Sequence, residues 1–200
     1  MVSVIDQLER AQDTSASAVC KGLAFVQFYG AYEYAVRGSV QAALGALGSA
    51  GLEIRALRRE MLTLILDPMW KSAGSSSPAH VWERRASLIS SVDSPALTTG
   101  LSDTLFPYDG SHYRVPQLET IWRVFAIPGP IVAEPRHLGR IEELVENRNA
   151  ISHGRRTPED VGRRYSSQEI GSFMADTYAI CNHIVSALEA HSRGGGVLAP

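Results

Sequence analysis

The chain has 200 residues, of which 44% are apolar and 20% are charged, and its formal net charge is −2 at pH 7. This composition excludes a disordered chain, and the near-neutral charge excludes a protein that attracts polyanions over its whole surface. Only two cysteines are present, Cys20 and Cys181, so a disulfide-rich scaffold is excluded as well. No apolar run is long enough for a membrane span, and we expect a cytoplasmic protein.

Helical spacing of apolar residues recurs along the sequence and hairpin signals are scarce, which predicts an all-α fold. We expect one helical domain over 1–190, with an irregular insertion at 72–116 and a flexible tail at 191–200. The predicted helices, in chain order, cover about 2–13, 17–47, 52–69, 80–89, 117–126, 136–153, a short turn at 157–160, and 166–190.

Two charged residues interrupt apolar stripes that the rest of the sequence keeps intact. Glu33 lies on the stripe of the helix over 17–47, and Arg148 lies on the stripe of the helix over 136–153. A lone buried charge costs several kcal/mol, so each side chain needs a partner, and we expect the two to face one another. Such a pair either fixes helix register alone or holds Arg148 for chemistry.

The residues that follow Arg148 favour chemistry. Asn149 and His153 are four residues apart and share a helix face, and Arg148 is offset from Asn149 by about 100°. The helix C-terminus near His153 favours a protonated imidazole. A guanidinium that holds a phosphate and an imidazole that moves protons are the groups that phosphodiester cleavage needs.

The segment RNAISHG, from Arg148 to Gly154, resembles the R-x4-6-H signature of the HEPN superfamily. The stretch QFYGAYEYAVRGSV, from Gln27 to Val40, is similar to the second helix of a bacterial HEPN group with a Tyr-x-x-x-Glu pattern, matched here by Tyr29 and Glu33. The resemblance is strong over 17–47 and 118–190 and weak over 72–116.

The resemblance implies a HEPN-like helical bundle that pairs as a homodimer, with RNA as substrate. It implies a metal-independent endoribonuclease of toxin–antitoxin or anti-phage defence systems, with a cognate antitoxin or defence protein as a further partner. Arg148 then binds the scissile phosphate, His153 transfers protons during attack by the 2′-hydroxyl, Asn149 orients the site, and Glu33 holds Arg148. A 2′,3′-cyclic phosphate is the expected product.

One position departs from HEPN toxins that are silenced by a nucleotidyltransferase. These toxins carry a tyrosine two residues after the histidine, where this chain has Arg155. Beyond the motif lies a local arginine cluster that either follows RNA phosphates or is simply solvated beside Glu159 and Asp160. The cluster consists of Arg155, Arg156, Arg163 and Arg164.

Other enzyme classes have no support in the sequence. The remaining histidines lack metal-ligand spacing, and no P-loop, GxGxxG or GxSxG motif is present, so we expect neither a metal nor a cofactor. The alternative to a ribonuclease is a non-catalytic HEPN module that binds RNA or a partner protein and uses Arg148 and Glu33 only for structure.

Overall fold

The computed structural model describes residues 2–98, 113–193 and 195–199. Within these ranges the chain is helical and forms no strand, and its only β pairing consists of two isolated bridges, which confirms the all-α prediction. The helices are α1 (Val2–Arg10), α2 (Thr14–Ser49), α3 (Leu62–Ile65), α4 (Asp67–Ser75), α5 (Val81–Ser91), α6 (Val115–Val124), α7 (Arg136–Ser152), α8 (Pro158–Gly162) and α9 (Ser167–Arg193).

The ends of the later helices follow local capping chemistry. Gly154 has φ +67°, the left-handed conformation that ends α7 and that glycine adopts most readily. Thr157 and Asp160 form a reciprocal capping box at the start of α8. Ser166 and Glu169 do the same for α9, since each backbone N–H donates to the side chain of the other residue. These ends lie within one or two residues of the predicted ones.

The predicted helix over 52–69 is wrong. The segment contains two 3₁₀ turns, Ile54–Ala56 and Arg59–Met61, followed by the short α3 and the start of α4. Pro68 occupies the first turn of α4, where the missing N–H costs nothing because that group has no intrahelical partner. Pro68 therefore begins a helix, whereas the sequence pattern suggested that it ends one.

The chain divides into two compact units. Unit 1 comprises Met1–Arg37, His112–Pro116 and Pro130–Val185, so it holds the first part of α2 together with α7, α8 and most of α9. Its core contains a cluster of aromatic rings in which Phe25 lies 4.8 Å from Tyr165 and 4.9 Å from Phe173, measured between ring centroids. This cluster joins α2 to the residues around α8 and α9.

Two glycines let α2 and α8 touch through their backbones. A Cβ atom on Gly22 would lie 1.9 Å from the carbonyl oxygen of Pro158, and one on Gly162 would lie 1.8 Å from that of Ala18. Neither helix can approach this closely with any larger residue at these two positions. The segment after α8 carries Arg163 and Arg164, and Nη1 of Arg164 lies 3.5 Å from Oδ1 of Asn147 in α7.

Unit 2 comprises Gly38–Ser111, Gln117–Gly129 and Ser186–Pro200. The predicted insertion at 72–116 contains the end of α4, all of α5 and the first residues of α6, while its residues 99–112 lie outside the described part of the chain. Within the predicted tail, α9 continues to Arg193, Arg58 N–H donates to the carbonyl of Val197 at 2.9 Å, and Ala199 N–H donates to that of Ala56 at 2.8 Å.

Candidate functional site

Arg148 projects from the buried side of α7 and is held by two neighbours. Its guanidinium lies over the ring of Tyr29, 4.7 Å from the ring centroid, and its Nη1 donates to Oδ1 of Asn149 at 3.0 Å. Asn149 is buried, whereas Arg148 is half-buried. Within the described residues the other N–H groups of Arg148 have no hydrogen-bond acceptor, so this guanidinium retains donors for an anion.

Glu33 does not form the expected direct ion pair with Arg148 in the described structure. Both side chains instead act on Tyr29: burial raises the pKa of its phenol, the Glu33 carboxylate raises it further, and the Arg148 guanidinium lowers it. The positive charge of Arg148 is thus stabilised by an aromatic face and an amide oxygen. The predicted ion pair is therefore wrong, and the partners of Arg148 are the Tyr29 ring and the Asn149 amide.

His153 caps the C-terminus of α7 and is exposed. Its backbone N–H donates to the carbonyl of Asn149 at 3.0 Å, which places the residue one helical turn beyond Asn149. Asn149 and His153 therefore lie on one face of α7, as the spacing predicts. The side chain of His153 is accessible to solvent, and a role in proton transfer requires such access.

A concavity next to this face, which we call the arginine pocket, encloses about 470 Å³. One side is formed by residues spaced along one face of α7, and the other side by residues that follow α7 and α8. Its lining consists of Glu143, Glu146, Asn147, Ala150, Arg155, Arg156 and Arg164. Three of the four predicted RNA-binding arginines thus meet at one pocket, and Arg148 and His153 lie outside its lining.

The floor of the arginine pocket is a relay of hydrogen bonds. Asn147 Nδ2 donates to the hydroxyl of Tyr165 at 2.7 Å, and that hydroxyl donates to Oε1 of Glu143 at 2.7 Å. Arg140 Nη1 lies 3.3 Å from the other oxygen of Glu143, and Arg140 Nε donates to Asp176 at 3.0 Å. Burial and the bond to Glu143 raise the pKa of Tyr165, so its hydroxyl stays protonated and keeps the relay fixed.

The four arginines of the cluster differ in their partners. Arg155 Nη1 lies 3.3 Å from Glu146, and Arg164 Nη1 lies 3.5 Å from Oδ1 of Asn147. The guanidinium of Arg156 has no hydrogen-bond or ion-pair partner among the described residues. Arg163 pairs with Glu159 outside the pocket, so for this arginine the solvated alternative describes the geometry.

Sequence reasoning missed the acidic and amide residues of this site. The signal that could have identified them is their spacing, because one helix face presents residues at i, i+4 and i+7, here Glu143, Asn147 and the apolar Ala150. Glu146 is also engaged by Arg114, whose Nη2 lies 3.5 Å from its carboxylate. Arg114 precedes α6 in a part of the sequence where no site was expected.

Other chemistry has less support. Burial raises the pKa of the Cys181 thiol to about 11, which disfavours a nucleophilic thiolate. No cluster of three or more His, Cys, Asp or Glu side chains in the described ranges is arranged to hold a metal ion. None of the described helices combines the length and the apolar character that crossing a membrane requires.

Unit 2 has a concavity of its own, which we call the tryptophan groove. It encloses about 450 Å³ between α4 and α5. Its lining is Trp70, Ala73, Gly74, Arg85, Leu88 and Ile89. Trp82 lies on the same helix as Arg85, whose guanidinium is 5.1 Å from the centroid of its ring.

Comparison with known proteins gives one match. A family model described as HEPN_MAE_28990-like HEPN matches residues 2–192, which is nearly the whole chain. No curated protein and no solved structure matches this chain.

Proposed function

Because the chain belongs to the HEPN_MAE_28990-like HEPN family, we propose that it is a metal-independent endoribonuclease of a toxin–antitoxin or anti-phage defence system. HEPN domains act as ribonucleases or bind RNA and partner proteins, and the choice between these roles depends on the motif. The observation that carries the proposal is the Arg148–Asn149 pair, which retains donors for an anion one helical turn from the exposed His153. In this proposal the protein acts in the cytoplasm.

The chemistry follows from these groups. Arg148 binds the scissile phosphate and stabilises the additional negative charge of the transition state, while Asn149 keeps the guanidinium in place. His153 accepts the proton of the 2′-hydroxyl or donates one to the 5′-oxygen. A bond forms between the 2′-oxygen and phosphorus, and the bond from phosphorus to the 5′-oxygen breaks. The products are a 2′,3′-cyclic phosphate and a 5′-hydroxyl.

Glu33 is a positioning residue in this proposal. Its carboxylate acts on Tyr29, the residue on which Arg148 stacks, so it influences Arg148 through that ring. Loss of Glu33 is expected to lower kcat less than loss of Arg148 does, because the guanidinium keeps its bond to Asn149.

We further propose that the active form is a homodimer. One motif supplies one arginine and one histidine, whereas two copies supply an acid and a base for opposite sides of the phosphate. The proposed interface lies on the helices around 17–47 and 136–153, where α2 exposes Leu23 by 40% and Tyr34 by 81%. A cognate antitoxin or defence protein is the second proposed partner.

The experiment is cleavage of total cellular RNA by the purified chain in EDTA. Wild type is compared with Arg148→Ala and His153→Ala, with His80→Ala as a control because His80 is an exposed histidine of unit 2. We expect cleavage with cyclic-phosphate ends by wild type and His80→Ala, and a loss on the order of 100-fold or more in the other two variants. Equal absence of cleavage in all four folded proteins contradicts the proposal and favours a non-catalytic binding module.

A further inference from the structure

The arginine pocket has the size and the chemistry of a ligand site. Small-molecule sites usually enclose about 300–1,000 Å³ and combine an apolar surface with a few fixed polar groups. This pocket encloses about 470 Å³ and has the methyl group of Ala150 among its charged and amide side chains. Its floor is preorganised, because Asn147 is only 4% exposed and its Nδ2 donates to Tyr165.

The cations of the pocket favour one phosphate group. The guanidinium of Arg156 has no hydrogen-bond or ion-pair partner among the described residues, and it acts on Asp160 only electrostatically. The guanidinium of Arg164 makes only a 3.5 Å contact with Asn147 and lies 5.7 Å from the ring centroid of Tyr165. Arg155 is paired with Glu146, but both side chains are more than half exposed, so this pair is weak. Guanidinium groups bind phosphate oxygens through paired N–H donors.

The anions of the pocket exclude a ligand that consists of phosphate alone. Glu143 and Glu146 line the same cavity, and their carboxylates repel additional negative charge. The same carboxylates accept hydrogen bonds from hydroxyl and amino groups. A ligand with one phosphate group and an uncharged part that carries hydroxyl or amino groups can bind both the arginines and the glutamates of the lining.

We propose that the arginine pocket binds one phosphorylated nucleoside unit. Arg155, Arg156 and Arg164 hold its phosphate, and Glu143 and Glu146 accept hydrogen bonds from its ribose or base. The unit is either a free nucleotide or one nucleotide of an RNA strand, since both present the same groups. Binding of an RNA strand rests on the proposed function, whereas binding of a free nucleotide does not.

The position of the pocket on α7 suits an RNA strand. Glu146 lines the pocket, and it precedes His153 by seven residues, or two helical turns, so the two residues share a face of α7. A strand that reaches His153 therefore meets the Glu146 side of the pocket about 10 Å away along the helix axis. The pocket then contributes to the choice of substrate without taking part in bond cleavage.

The test measures binding to the full chain carrying His153→Ala, so that no RNA is consumed. The probes for calorimetry are AMP, GMP, CMP and UMP, with adenosine and inorganic phosphate as partial ligands, and a five-nucleotide RNA. We expect at least one mononucleotide to bind tenfold or more tightly than adenosine or phosphate if the site accepts free nucleotides. Binding of the RNA alone identifies the site as part of the RNA-binding surface.

Variants locate the binding. Arg156→Gln and Arg164→Gln are each expected to weaken binding at least tenfold, while Arg10→Gln, which removes an exposed cation of α1, changes it less than twofold. Arg163→Gln is expected to weaken binding by an intermediate factor, because Arg163 is next to Arg164 in the sequence but lies outside the pocket lining. The proposal is overturned if neither mononucleotide nor RNA binds, if phosphate alone binds as tightly as the nucleotides, or if Arg10→Gln weakens binding as much as Arg156→Gln.

These results are separable from the cleavage experiment. Nucleotide binding that depends on Arg156, in a protein that cuts no RNA, leaves the pocket assigned and removes the ribonuclease proposal. Cleavage that depends on His153, in a protein whose Arg156→Gln variant binds and cuts as wild type does, removes the pocket proposal and keeps the ribonuclease.

Discussion

The arginine pocket of unit 1 and the tryptophan groove of unit 2 have nearly the same volume, about 470 and 450 Å³, and opposite chemistry. In the pocket, polar side chains hold one another through a relay of hydrogen bonds. In the groove, Leu88 forms an apolar floor, and the flanking Trp70 and Ile89 remain 53% and 64% exposed. The size of a concavity therefore says little about its ligand, and the lining decides.

The two regions also use arginine differently. The guanidinium groups of Arg156 and Arg164 belong to the lining of the arginine pocket and retain donors for a ligand. In unit 2, Arg85 stacks beside Trp82 and Arg84 donates to Ser72 at 3.1 Å. The first arrangement sets arginines among carboxylates and amides, and the second sets them against an indole ring and a hydroxyl group.

The largest expected effect in unit 1 comes from breaking the close backbone contact between α2 and α8. Gly162→Ala places a Cβ atom 1.8 Å from the carbonyl oxygen of Ala18, so α8 must move away from α2. We expect the free energy of unfolding to fall by about 3 kcal/mol or more, measured by urea denaturation. The control is Gly139→Ala in α7, which meets nothing within 4 Å and is expected to stabilise the protein by about 0.5–1 kcal/mol. Equal stabilities for the two variants would contradict the tight contact.

The next effect concerns the floor of the tryptophan groove. Leu88 is 2% exposed, so Leu88→Ala removes buried apolar surface and leaves a cavity. We expect a loss of about 2–4 kcal/mol in the same urea measurement. Ile89→Ala, at the exposed neighbour, is expected to cost less than about 0.5 kcal/mol. A cost for Ile89→Ala as large as that for Leu88→Ala is incompatible with an open groove.

A smaller effect is expected at the floor of the arginine pocket. Asn147→Ala removes the donor to the Tyr165 hydroxyl and leaves that hydroxyl with Glu143 as its remaining partner. We expect a cost of about 1–2 kcal/mol, since net hydrogen-bond contributions are of this size. Asn182→Ala, at an exposed position of α9, serves as the control and is expected to change stability by less than about 0.5 kcal/mol.

The smallest effects are those of pH, and they differ between the two units. Burial, with a smaller contribution from Arg58, lowers the pKa of His191 in unit 2 below its ordinary value of 6.5. The unfolded chain then binds more protons, so stability is complete above pH 6.5 and falls as the pH drops towards the folded pKa. We expect His191→Gln to lose this slope between pH 7.5 and 5.5 in urea titrations, and His80→Gln to keep it.

In unit 1 the corresponding groups are the capping carboxylates. Hydrogen bonds from Thr157 lower the pKa of Asp160, and those from Ser166 lower that of Glu169. Their contribution is present above the ordinary carboxylate pKa and is lost as the pH falls through the folded value, which places it below about pH 4.5. Asp160→Asn is expected to reduce the stability change between pH 5 and 3, and an unchanged slope would count against the capping box.

The helix ends that depend only on residues close in sequence were predicted from local signals. Gly154, the Thr157–Asp160 box and the Ser166–Glu169 box define helix ends through contacts within a few residues, so the ends of α7 and the starts of α8 and α9 were predictable. Pro68 was misinterpreted because the fixed φ and the missing N–H of proline are compatible with the first turn of a helix as well as with the end of one.

The placement of the motif residues on α7 was predictable from the sequence, whereas their pairings and the acidic and amide residues of the arginine pocket were not. The spacing of Arg148, Asn149 and His153 on α7 follows from helix geometry alone. The contact between Arg148 and Tyr29 depends on how α2 packs against α7, and no local rule gives that distance. The same holds for the arginine pocket, because its lining comes from α7 and from residues that follow α7 and α8.

The stacking of Arg148 on Tyr29 gives this protein a built-in spectroscopic reporter. A guanidinium centred 4.7 Å from an aromatic ring centroid lies in the shielding cone of its ring current, which moves the resonance of its Nε proton upfield in a nitrogen-correlated NMR spectrum. An anion that draws the guanidinium away from the ring returns that resonance towards its usual position. The resonance therefore follows occupation of the motif by a phosphate group in a protein in which no bond is cut.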